Sequence, residues 1–70
     1  MTKVQSIIFD RTRWTPKAAM KWLRRHHDKP IKAMHSTKHF FRYRLHNPHE
    51  FHRFITKKLP NGIDLIIGYP

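Results

Sequence analysis

Fifteen lysines and arginines face four acids along 70 residues, a formal net charge of +11, and this imbalance constrains the chain more than any other feature. A compact state of this size repels itself electrostatically, so a polyanion is the natural source of the missing charge. Three polyanions fit that need: nucleic acid, an anionic membrane surface, or a strongly acidic protein.

The length allows one small domain, residues 1–70, with a single thin core and a net stability of at most a few kcal/mol. There is no cysteine to supply a disulfide or a thiolate zinc ligand. Hydrophobic residues at 39%, 13% of the chain being aromatic, argue for a folded core. The N-terminal stretch Met1–Asp10 lacks the apolar run of a signal peptide, and Leu65-Ile66-Ile67 is far too short to cross a bilayer. The expected location is a virion or the interior of a host cell, cytoplasm or nucleus, rather than a secreted one.

Val4 to Phe9 reads as a first strand whose weak alternation leaves its inward face open. Thr15 is a good N-cap and Pro16 suits the first helical position, so a helix is expected from Pro16 to about His27. Trp14 before the cap can pack on Ala19 as a hydrophobic staple. At about 100° per residue, Ala19, Trp22, Leu23 and His26 share one face, opposite Lys17, Lys21, Arg24 and Arg25. Asp28-Lys29-Pro30 ends the helix, because the residue before proline resists helical geometry. Ile31–Met34 is at most a brief extended piece.

His39 to His46 reads as the best strand, with Phe41, Tyr43 and Leu45 on one side and Phe40, Arg42, Arg44 and His46 on the other. Asn47–Glu50 is a turn or a single helical turn. Phe51–Leu59 and Ile63–Tyr69 are further strands joined by the tight turn Pro60-Asn61-Gly62, and the last is apolar enough to be central. The expected fold is a small two-layer α+β domain of order β-α-β-β-β. One amphipathic helix packs on a mostly antiparallel sheet whose last three strands form a meander. In that arrangement Val4–Phe9 is an edge strand able to pair two copies into a dimer, and Arg44 and Arg53 are cross-strand neighbours.

Two basic surfaces are candidate contacts for nucleic acid. The first is the helix stripe Lys17, Lys21, Arg24 and Arg25, with Arg11 and Arg13 leading into it; this stretch carries six cations and no acid. A solvated helix face ordinarily mixes both signs, whereas a one-sign stripe can track phosphates and release counterions. The second is the sheet face with Phe40, Arg42 and Arg44, joined by Arg53, Lys57 and Lys58. Alternating rings and guanidinium groups on a strand can stack on bases and bind phosphates. The bland alternatives are a Phe40 packed in a minor cluster and edge lysines that discourage aggregation.

Seven histidines do not make a metal site, because their spacings fall on strands and turns and few acids could complete one. They add positive charge as pH falls below their usual pKa of about 6.5. No glycine-rich phosphate loop, nucleophile constellation or carboxylate pair is present, so no enzyme activity and no cofactor are expected. Membrane binding is disfavoured, since the apolar side of the helix is needed for the core.

The pieces Val4–Phe9, Trp14-Thr15, Ala18, Trp22-Leu23, Phe41-Arg42-Tyr43-Arg44, Pro48, Phe51, Phe54–Leu59, Gly62-Ile63 and Ile67-Gly68 span nearly the whole chain. Together they resemble a small domain that recurs in tailed bacteriophages and large double-stranded DNA viruses. The resemblance implies a viral setting, in which a tiny basic protein most often handles the genome. It carries over no catalytic residue, and this chain is more basic than the phage forms. The expectation is a viral nucleic-acid-binding protein, for DNA in preference to RNA, with little sequence preference and a possible role in condensing or packaging the genome. The alternative is a small virion structural or adaptor protein that docks on an acidic virion or host protein.

Overall fold

A computed structural model describes residues 2–26 and 33–70, with only the backbone described at Ala33. Its elements are β1 (Lys3–Asp10), α1 (Pro16–His26), β2 (Ala33–Ser36), β3 (Phe40–Arg44), a single 3-10 turn (Pro48–Glu50), β4 (Arg53–Lys58) and β5 (Ile63–Tyr69). One helix packs on a five-stranded sheet in which every neighbouring pair is antiparallel, the α+β architecture expected. His27, the Asp28-Lys29-Pro30 helix stop and Ile31-Lys32 lie outside the described residues.

The strand order is β2-β3-β1-β5-β4, and this overturns three expectations. The last three strands do not form a meander, because β1 and β5 lie between β3 and β4. The Val4–Phe9 strand is the centre of the sheet, not an edge. Arg44 stands opposite Ser6 and Ala33, whereas Arg53 stands opposite Tyr69, so these two arginines are not cross-strand neighbours. The reason is burial: a run as apolar as Val4–Phe9 gains most where both its edges are paired and one face is covered.

The irregular alternation of β1 has a local cause. A bulge between Val4 and Ser6 lets Val4, opposite Ile67, and Ile7, opposite Leu65, share a face despite their odd spacing. Gln5 at the bulge is anchored to the end of β3. Its carbonyl accepts from the Leu45 and His46 amides at 2.8 and 3.3 Å, and its Nε2 donates to the His46 carbonyl at 3.0 Å. The Ser6 hydroxyl donates to Gln5 Oε1 at 2.7 Å, so this buried polar pair is satisfied.

Helix α1 starts as its sequence dictates: Thr15 Oγ1 accepts from the Ala18 amide at 3.2 Å and Pro16 opens the first turn. Ala19 and Leu23 are buried against Ile7, Phe9, Phe41, Tyr43, Leu45 and Ile63. Trp14 packs edge-on against Phe9, with ring centroids 5.1 Å apart, and its indole N–H donates to the Asn61 carbonyl at 2.8 Å. His26, expected on the inner face, is exposed.

The strands β2 and β3 form a hairpin across Lys38-His39. The Thr37 amide donates to the Phe40 carbonyl at 2.8 Å, and Thr37 Oγ1 accepts from the Phe40 amide at 3.1 Å. A second hairpin joins β4 to β5. The Leu59 amide donates to the Ile63 carbonyl at 2.8 Å, and Gly62 takes a φ of +83°, the left-handed residue that ends such a short connection. Between the hairpins the chain crosses one end of the sheet through the 3-10 turn. There Asn47 and Glu50 cap each other's backbone amides as a capping box.

Candidate nucleic-acid interface

The sheet has a helix face and an open face, and register assigns each cation to one of them. Lys17, Lys21 and Arg24 are exposed on the outer side of α1, spaced four and three apart, so they form one stripe pointing away from the sheet. Arg25 is exposed on the flank of the same helix, beside Trp22.

Arg11 and Arg13 have structural duties within the loop leading to the helix. Arg11 Nη1 donates to the Thr37 carbonyl at 2.6 Å and to Ser36 Oγ at 3.2 Å, and its guanidinium lies 5.0 Å from the centre of the Phe41 ring. Arg13 Nη1 donates to the Pro60 carbonyl at 3.3 Å, and its side chain rests against Gly62. Both join the loop to the two hairpin turns and remain exposed at their outer surfaces.

The open face carries Phe40, Arg42 and Arg44 from β3. One row runs across all five strands as His35, Arg42, Ile8, Asp64 and Lys58. The next is Ala33, Arg44, Ser6, Ile66 and Thr56. Phe40 is 42% exposed, and the His39 ring lies beside it, centroids 6.3 Å apart. Arg44 is half-buried, and its Nε is enclosed without a hydrogen-bond partner.

The β4 cations divide between the two faces. Lys58 shares the open face with Arg42, whereas Arg53 and Lys57 stand opposite Tyr69 and Leu65 on the helix side. Arg53 lies 4.8 Å above the Tyr69 ring. The sheet cations expected to form one surface therefore form two.

Among the described residues, the acids form no ion pair with a lysine or arginine. Asp10 accepts from the Thr12 amide at 2.9 Å and the Thr12 hydroxyl at 2.8 Å, and these bonds hold its carboxyl below the usual carboxylate range. Glu50 accepts from the Asn47 amide at 3.0 Å and lies 4.0 Å from His46 Nδ1. Among the described residues no lysine or arginine nitrogen comes within 4.0 Å of a carboxylate oxygen. No three His, Asp or Glu side chains gather as a metal site requires among the described residues. No described helix is long and apolar enough to cross a membrane.

One feature of this surface escaped the sequence. Trp14, assigned there to a staple on Ala19, and Trp22, assigned to the core, are both half-exposed and wall a groove on the flank of α1. Trp14 precedes the helix, so helical spacing gave no signal that it shares a side with Trp22. Searches of protein-family models, characterised proteins and solved structures match nothing to this chain.

Proposed function

We propose that this protein binds nucleic acid through its phosphates with little sequence preference, and that it bridges two segments to compact a genome. The observation that carries the reading is a set of cations that, among the described residues, have no carboxylate partner, on two opposite sides of a thin domain. The helix stripe of Lys17, Lys21 and Arg24 is on one side, and Arg42, Arg44 and Lys58 on the open sheet face are on the other. Cations already paired within the protein would gain little from phosphate, whereas these gain both charge neutralisation and counterion release. The resemblance to a phage and large-virus domain is the ground for a genome-handling setting, with DNA as the first candidate.

The test is binding of duplex DNA across a salt series. The expected slope of log K against log[salt] is about −0.9 for each phosphate contacted. A flat response would sink the reading. A second reading, docking on an acidic protein, is favoured by one observation: edge strand β4 leaves Phe54 and Ile55 41% and 43% exposed between Arg53 and Lys57. A stoichiometric partner retained from nuclease-treated lysate at high salt would select it.

A further inference from the structure

Along one flank of α1 runs an open groove of about 280 Å³, lined by Trp14, Ala18, Lys21, Trp22, Arg25 and His26. Residues 18, 21, 22 and 25 follow the i, i+3, i+4, i+7 spacing of one helix flank, and Trp14 adds the wall nearest the N-cap. Ala18 lines the same groove and is exposed, so a longer side chain there would fill part of it.

Both indoles are held in place. Trp14 is fixed by its bond to the Asn61 carbonyl and by the edge of Phe9. Trp22 meets Phe9 edge-on at 5.8 Å, and the His26 ring lies nearly parallel to it, 16° off, with centroids 4.2 Å apart. His26 is itself anchored, its Nδ1 lying 2.9 Å from the Trp22 carbonyl. A ligand therefore meets preformed walls and orders few side chains on binding.

Lys21 and Arg25 also line the groove and, among the described residues, have no carboxylate within 4.0 Å. An apolar, indole-walled groove with two unpaired cations beside it complements a flat aromatic ring bearing a phosphate. The volume sits near the lower end of small-ligand sites, about 300 Å³, and so suits one nucleotide. We propose that this groove seats a single unpaired nucleotide of a single-stranded nucleic acid, its base stacked against Trp14 and Trp22 over Ala18 and its phosphates on Lys21 and Arg25. A duplex keeps its bases stacked inside and enters such a groove only after unstacking one. The proposal rests on the nucleic-acid reading above and adds to it a preference for single strands.

Both tryptophans of the chain line the groove, so their emission reports its occupancy. The experiment titrates the intact protein at fixed low salt with oligo(dT), oligo(U), a blunt duplex of matched length and inorganic polyphosphate. The expected result is quenching by the oligonucleotides, with binding about tenfold tighter than polyphosphate of equal charge. Ala18→Leu, at an exposed helical position that leucine tolerates, should abolish the quenching and the tenfold margin while duplex binding persists. Ala18→Gln repeats the test without adding apolar surface, and circular dichroism confirms that each variant is folded. Equal affinity for oligonucleotide and polyphosphate, or undiminished quenching in a folded variant, overturns the groove while leaving phosphate binding intact. Failure to bind any of the four polymers overturns both readings.

Discussion

The Phe51 ring occupies the space that a side chain at Gly68 would fill: a Cβ built there would fall well inside van der Waals contact with three ring carbons. Gly68 is in β5, opposite Lys3 and Phe54 on the open face, and Phe51 follows the 3-10 turn. The ring supplies the packing that a glycine in a strand lacks. It also brings together Phe54, 5.9 Å away, and His46, 6.2 Å away, over this end of the sheet.

This contact makes position 68 intolerant of even one methyl group. Gly68→Ala should cost about 1–3 kcal/mol, because the rigid ring and the backbone beneath it both have to shift. In a Phe51→Ala background the same change should cost close to nothing, leaving a coupling of at least about 1 kcal/mol in a denaturation double-mutant cycle. Additive effects would show that the ring is not what excludes the side chain.

Tyr43 should be replaceable by phenylalanine without loss. Its ring packs edge-on against Phe9 at 5.5 Å, but its hydroxyl is buried with no hydrogen-bond partner. Removing an unsatisfied buried hydroxyl is expected to be neutral or to stabilise by about 1 kcal/mol. Burial pushes the phenol above its ordinary value of 10.0. The folded state thus holds a proton that the unfolded chain releases, and stability falls as pH rises past that value. Urea titrations above pH 10 should show a smaller alkaline loss in Tyr43→Phe than in the wild type.

Asp10 should contribute at the acid end. The Thr12 amide, then the Thr12 hydroxyl, lower its carboxyl below 3.8. A depressed carboxylate adds stability that is complete above the unfolded value and is lost as pH falls through the folded one. Melting temperature should therefore drop less between pH 5 and pH 2 in Asp10→Asn than in the wild type. Thr12→Ala, which keeps the backbone donor, should give an intermediate acid limb.

Opposite basic faces predict separable defects in bridging. Lys21→Glu with Arg24→Glu, or Arg42→Glu with Lys58→Glu, should each weaken duplex binding about equally for all sequences and flatten its salt slope. Either pair alone should abolish DNA condensation measured by light scattering, since one remaining face can bind but cannot cross-link. Condensation that survives both pairs tested separately would rule out two-faced bridging.

The local elements were legible because their signals are local. Thr15-Pro16 set the helix start, Asn47-Pro48 with Glu50 the 3-10 turn, and Pro60-Asn61-Gly62 the hairpin. Strict alternation put Phe41, Tyr43 and Leu45 in the core and Phe40, Arg42 and Arg44 outside. The Val4–Ser6 bulge hid the face of β1, because one inserted residue reverses the parity on which such a reading depends. The four-residue strand Ala33–Ser36 was hidden too, since its pairing comes from the neighbouring β3 rather than from its own pattern.

By itself, then, the sequence determined a helix with one cationic side, alternating strands, and more positive charge than its acids can neutralise. Only the tertiary structure decided that β1 is central, that Arg53 and Lys57 part company with Arg42 and Lys58, and that two indoles line one groove with Ala18. Those outcomes depend on which edges pair and which surfaces pack together. Contacts between residues distant in the chain arise from the burial available to the whole fold, and no short stretch of sequence encodes them.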